Sequence, residues 1–275
     1  TNLKQIIIES KPSTLQLLNS EQKLSEILMN LLQYDSINYQ YKVKIITILQ
    51  SLLFNESDEE DEEYTNLIIE FMQNSSFHII FELLFSIDPT EYKYISDILQ
   101  FLSKISLQSP ESRNTLLQLF PNSDIRPPFM QIFDFIQTFD EIPQLQQSFI
   151  DFLVSLCYFN MDDDETQPIF EHCILPLFEY TQKSDKLFLW DSLLSILHYF
   201  VLNHGLFIGS HDTTFYILDF SLQNGTPHAI ETSLTIYNIF VDLNVDIHTH
   251  LDFSNISCNI LNPNQEISES YLKLV

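Results

Sequence analysis

Asp246, His248, His250 and Asp252 alternate metal-ligating side chains along a short run. A spacing of two places ligands on one edge of an extended strand, whereas a helix face needs steps of three or four. A metal-dependent hydrolase could be built on such a run. No second cluster of ligand types accompanies it, so it reads better as a surface turn between structural units, and neither a metal nor any other cofactor is expected. His198, His204 and His211 have no evident cysteine or carboxylate framework. No HExxH pattern or nucleophile elbow occurs. With only three glycines, Gly205, Gly209 and Gly225, the chain also lacks a glycine phosphate loop. The expectation is that it is not an enzyme. Ser57, followed by acids, suits an acid-directed kinase, although a solvated loop explains the same residues.

A second candidate set is Asp97, Asp151, Asp191 and Glu231. Each carboxylate falls in the N-terminal half of a segment with helical apolar spacing. On one face, the four would form a ladder able to hold a basic, extended protein segment through charge-assisted hydrogen bonds. The helix dipole offers a local alternative, since acids in a first turn gain about 0.3–1 kcal/mol each.

Thirty-eight acidic residues against twelve basic ones give a formal charge of -26. Such a surface repels phosphate backbones and anionic headgroups, which argues against direct nucleic-acid binding and leaves a basic protein partner or simple solubility. Cys157, Cys173 and Cys258 are odd in number, far apart and set in apolar sequence, as expected of buried thiols in a reducing compartment, the cytosol or nucleus. The stretch 187–209 is the most membrane-like, but Asp191, His198, Asn203 and His204 interrupt it. A central carboxylate costs about 2.5–3.5 kcal/mol on insertion, so the stretch reads as a helix buried in protein.

The elements that would position these residues repeat. An apolar-apolar-polar-apolar motif recurs as Leu28-Met29-Asn30-Leu31, Ile80-Phe81-Glu82-Leu83, Ile132-Phe133-Asp134-Phe135, Leu177-Phe178-Glu179-Tyr180 and Ile217-Leu218-Asp219-Phe220. Measured at Met29, Phe81, Phe133, Phe178 and Leu218, the offsets are 52, 52, 45 and 40 residues, the range of helical solenoid repeats. After each motif comes a longer helical pattern, at 45–54, 95–107, 149–159, 187–202 and 230–243. In the third, Phe149, Phe152, Leu153, Leu156 and Phe159 step by three and four along one face. Pro127-Pro128, Pro176 and Pro227 sit where helices should begin; Asn203-His204-Gly205 and Asn224-Gly225 sit where they should end. Acidic insertions at 56–63 and 162–165 read as solvated loops at joints between repeats.

Residues 173–203, from Cys173-Ile174-Leu175-Pro176 through Leu193-Leu194-Ser195-Ile196-Leu197 to Asn203, resemble an armadillo unit, and 128–160 and 212–244 resemble its neighbours. The resemblance implies an all-α, right-handed α-α superhelix of armadillo/HEAT-like type, with about five to six repeats in a single domain spanning 1–275. The segment 267–274 looks like the start of another helix, so the chain is expected to be part of a longer solenoid. The resemblance further implies a scaffold or adaptor that binds protein or peptide along the concave face of the third helices. Importin alpha, a member of this group, marks its groove with Trp and, four residues later, Asn. The matching pairs here are Thr47/Ser51, Gln100/Lys104, Phe152/Leu156, Ser195/Tyr199 and Leu234/Asn238; only Asn238 and Phe152 keep that chemistry, and Trp190 lies off the ladder. An importin-alpha-like transport receptor is therefore the alternative. Asp97, Asp151, Asp191, Glu231, Phe152, Tyr199 and Asn238 are the expected partner-binding residues.

Overall fold

The computed structural model describes residues 24–54, 68–69, 71–73, 77–120, 127–159, 161 and 163–247. All regular structure among them is helical. The chain divides into two compact units, Thr1–Leu156 and Cys157–Val275.

The first unit contains α1 (Leu24–Leu32), α2 (Tyr39–Leu53), α3 (His78–Ser86), α4 (Tyr92–Ser106), α5 (Pro110–Gln118), α6 (Pro128–Thr138) and α7 (Pro143–Cys157), the last residue of which opens the second unit. Short polar side chains start several of these helices by accepting N–H groups that have no partner inside the helix. Asn38 Oδ1 accepts from Gln40 N–H at 3.0 Å, and Ser109 Oγ from Ser112 N–H at 3.0 Å. Asp88 Oδ1 takes the hydroxyl and the N–H of Thr90 at 2.6 and 2.9 Å, and these bonds hold its carboxyl below the usual carboxylate range. Pro110, Pro128 and Pro143 occupy first helical positions, where a missing N–H costs nothing.

The long helices of this unit run parallel. Near the starts of α2 and α4, Tyr39 meets Tyr94 edge-on at 5.8 Å, and near their ends Phe54 meets Phe101 at 6.1 Å. Between α4 and α7, Ser96 Oγ lies 2.8 Å from Ser148 Oγ, and ten residues further along Ser106 Oγ donates to the Ser155 carbonyl at 3.0 Å. Ser96 and Ser148 are 52 residues apart, the offset of the sequence motif. Phenylalanines fill the space between elements: Phe81 against Phe120 at 4.9 Å, Phe120 against Phe152 at 6.1 Å, and Phe85 against Phe135 at 4.8 Å. Full burial of a ring contributes about 1.5–3 kcal/mol, so the buried Phe81, Phe120 and Phe152 are a main source of cohesion, while Phe85 stays partly exposed.

The second unit contains α8 (Asp163–Ile169), a π turn (Phe170–Ile174), α9 (Leu175–Lys183), α10 (Trp190–Ile208), α11 (Asp212–Asn224) and α12 (Pro227–Asp242). The backbone of residues 163–165 thus belongs to a helix and not to the loop expected for 162–165. Pro176 lies in the first turn of α9, where a helix start was expected. The wider π turn carries the chain from α8 into α9, with Leu175 N–H bonded to the Phe170 carbonyl five residues back.

α10 and α12 are also parallel. Asp191 at the start of α10 bonds Thr226, which precedes α12, while Gly205 near the end of α10 packs under the Leu243 side chain just beyond α12. The stop expected at Asn203-His204-Gly205 coincides with a kink: His204 departs from helical dihedrals (φ -133°, ψ 35°), and a second helical stretch runs on to Ile208. α11 runs back against α12, held by Tyr237 Oη donating to Asp219 Oδ1 at 2.7 Å and by Phe215 against Phe240 at 5.5 Å. No helix among the described residues is long and apolar enough to cross a membrane.

Candidate binding surface

Each long helix buries its apolar positions and leaves a stripe at i, i+4, i+7 and i+11 toward solvent, as the helical period requires. In the first unit the α4 stripe is Lys93, Asp97, Gln100 and Lys104, and its buried side includes Ile95, Ile98, Leu99 and Leu102. Along α7 the stripe begins with Gln147, Asp151 and Val154. Asp97 and Asp151 are both exposed, on neighbouring helices, and Asp151 Oδ1 accepts from Gln147 Nε2 at 2.6 Å. The two lysines make the α4 stripe less acidic than a reading of carboxylates alone suggests.

Phe152 is not a surface residue. It is fully buried and stacked on Phe120, as are Leu156 beside it and Leu234 in α12 in their own cores. The i+3/i+4 series that identified the helix from sequence marks its core face, and the importin-style pairs Phe152/Leu156 and Leu234/Asn238 slip onto that face by one position. Burial of these side chains removes them from any partner contact.

In the second unit the α10 stripe is Asp191, Ser195, His198 with Tyr199, and Leu202; the α12 stripe is Glu231, Thr235, Asn238 and Asp242, forty residues on. Glu231 is exposed and Asn238 half-buried. Asp191 is half-buried and committed locally: its two carboxylate oxygens accept from Thr226 Oγ1 at 2.9 and 3.0 Å, and Thr226 Oγ1 in turn accepts from Ala229 N–H at 3.1 Å. The carboxylate therefore supports the cap of α12. The four acids proposed from sequence fall into two pairs, Asp97 with Asp151 and Asp191 with Glu231, one pair in each unit.

Tyr199 is half-buried, with Tyr158 edge-on at 5.4 Å and the His198 ring at 6.4 Å. Burial, and then the neighbouring Tyr158, push its phenol above the usual tyrosine range; burial pushes His198 below the usual histidine range. Tyr158 is 48% exposed. Sequence reasoning passed over Tyr158 because it ends a helix whose apolar face drew the attention. Its place eleven residues after Gln147 was the available signal.

A cleft of about 490 Å³ opens beside the α10 bend, walled by Thr166, Asn203, His204, Leu206 and Leu243. Thr166 Oγ1 lies 3.1 Å from His204 Nε2 and ties α8 to the bend. Thr166 itself is buried. Trp190 is likewise a core residue, its indole N–H donating to Ser221 Oγ at 2.7 Å. Cys157 and Cys173 are buried free thiols. Among the described residues no three His, Cys, Asp or Glu side chains converge as metal ligands. Asp246 is exposed, and residues 248–252 and the acidic run 56–63 lie outside the described residues, as do 267–274 and Cys258. The chain matches no protein-family model, no curated protein and no solved structure.

Proposed function

We propose that this chain is a non-enzymatic scaffold of armadillo/HEAT-like architecture that binds a basic or extended protein segment on the solvent-facing stripes of its long helices. The observation that carries this reading is the parallel, side-by-side setting of long helices at the repeat offset within each unit, with a polar stripe on each. Parallel long helices alternating with shorter return helices are what stacked helical repeats produce, and an exposed polar stripe supported by a packed core is how such repeats present a binding surface. The negative charge supports a basic partner, and the two buried thiols suit the cytosol or nucleus. An importin-alpha-like groove gains no support here, because Trp190 sits in the core and Asn238 alone keeps that chemistry.

The test compares two surfaces of the second unit. One variant replaces the α12 stripe (Glu231→Gln, Thr235→Ala, Asn238→Ala), and the other replaces exposed α11 positions (Thr213→Ala, Tyr216→Ala, Gln223→Ala). A protein that forms a stoichiometric complex with the unaltered chain should be lost by the first variant and retained by the second. The opposite outcome, with both variants folded, sinks the stripe as the binding surface.

A further inference from the structure

Tyr158 and Tyr199 carry a more specific assignment within the second unit. Their rings meet at 5.4 Å and 81°, with Phe159 edge-on to Tyr158 at 5.1 Å and 82°. Both neighbours thus lie nearly perpendicular to the Tyr158 ring, and an aromatic face carries the negative part of the ring quadrupole. Tyr158 as a residue is 48% exposed, at the end of a helix. Burial holds the neighbouring His198 below the usual histidine range, which disfavours a positive charge beside the pair. The chain as a whole, at -26, draws cationic segments and rejects acidic ones.

We propose that the Tyr158–Tyr199 corner receives a lysine or arginine side chain of a basic protein segment, the ammonium or guanidinium resting on tyrosine π surface. This rests on the reading of the long-helix stripes as a protein-binding surface and assigns one position on it. Lysine and arginine suit the corner because each brings an alkyl stem that packs on the ring and a charge that the field of the chain favours. An acidic or purely apolar segment gains neither.

Fluorescein-labelled octa-arginine is the probe, with anisotropy read on the full chain at about 150 mM salt so that diffuse attraction is screened beyond roughly 8 Å. Tyr158→Ala should loosen binding about fivefold, the scale of one partly exposed cation–π contact, while Tyr158→Phe, which keeps the ring, should bind like the unaltered chain. Tyr158 is exposed, so thermal unfolding of Tyr158→Ala should be unchanged. Ring signals of labelled tyrosine should shift on addition of the peptide and fail to shift with octa-glutamate. Undiminished binding by Tyr158→Ala together with weaker binding by Glu231→Gln overturns the tyrosine assignment and leaves the stripe reading standing. Absence of binding even at about 20 mM salt, where surface charges act at long range, overturns both.

Discussion

Asp191 shows how one carboxylate can satisfy two readings of the sequence, and the hydrogen bonds decide between them. Placed on the outward stripe of α10, it is nonetheless aimed at Thr226, whose oxygen caps α12 through Ala229 N–H. Its first effect is therefore on stability. Thr226→Ala should cost about 1 kcal/mol, the usual worth of a helix cap. Asp191→Ala should cost less, and the double variant should cost less than the two added together because both remove one network. Strict additivity in urea unfolding would show that the two side chains do not act on each other. His198 gives a second test at this scale. Its pKa is lower folded than unfolded because burial disfavours the charged ring, so the folded state loses stability when the ring must be protonated. The stabilising difference is complete above the unfolded value of about 6.5 and is lost as pH falls through the lower folded value. Unfolding midpoints of the unaltered chain and His198→Gln, taken from pH 7.5 down to pH 5, should therefore show the steeper fall in the unaltered chain. Parallel curves would mean that His198 titrates alike in both states.

At the scale of elements, the junction between α11 and α12 makes the sharpest demand on residue type. Gly225 N–H donates to the Ser221 carbonyl at 2.8 Å, and a Cβ at Gly225 would lie 2.4 Å from that carbonyl oxygen and 2.8 Å from Ala229 Cβ. Backbone cannot yield as a side-chain tip can, so Gly225→Ala should destabilise the second unit by about 1–3 kcal/mol, as overpacking does, whereas the equivalent Gly205→Ala meets only the flexible end of Leu243. Equal stability of the two variants would refute this ranking. This junction was legible in the sequence as Asn224-Gly225 followed by Pro227, because stop and start signals are local chemistry. The break at His204 was legible in the same way, as Asn203-His204-Gly205; what the sequence did not show is the further helical stretch that follows it to Ile208, with Thr166 and Leu243, distant in sequence, packed at the kink. The same limit explains Phe152. Apolar periodicity identifies a helix by the face it buries, and the exposed stripe must be read from what lies between, where Tyr158 was missed.

Across the whole molecule, charge is the strongest influence readable from sequence alone. Thirty-eight acids and twelve bases cannot all be paired, and the close ion pairs among the described residues include exposed i, i+4 contacts such as Lys183 with Glu179 and His78 with Glu82. Exposed pairs of this kind add little, about 0–1 kcal/mol each. Mutual repulsion among the remaining carboxylates acts over a longer range, and it weighs more on the folded chain because folding brings the charges closer together. Salt should therefore stabilise this protein. Raising sodium chloride from about 20 mM to 500 mM shortens the screening length from roughly 20 Å to 4 Å, and the melting temperature should rise, most steeply at the low end. Replacing the acids of residues 56–63 by Asn and Gln should raise the melting temperature in low salt and flatten its salt dependence, because seven of those eight residues are acidic. Substituting Glu231 alone should leave the slope nearly unchanged, since one charge among so many scarcely alters the field. A melting temperature that falls with salt would show that specific attractive pairs outweigh the net repulsion, and the charge would then have to be read as a set of local contacts rather than a field.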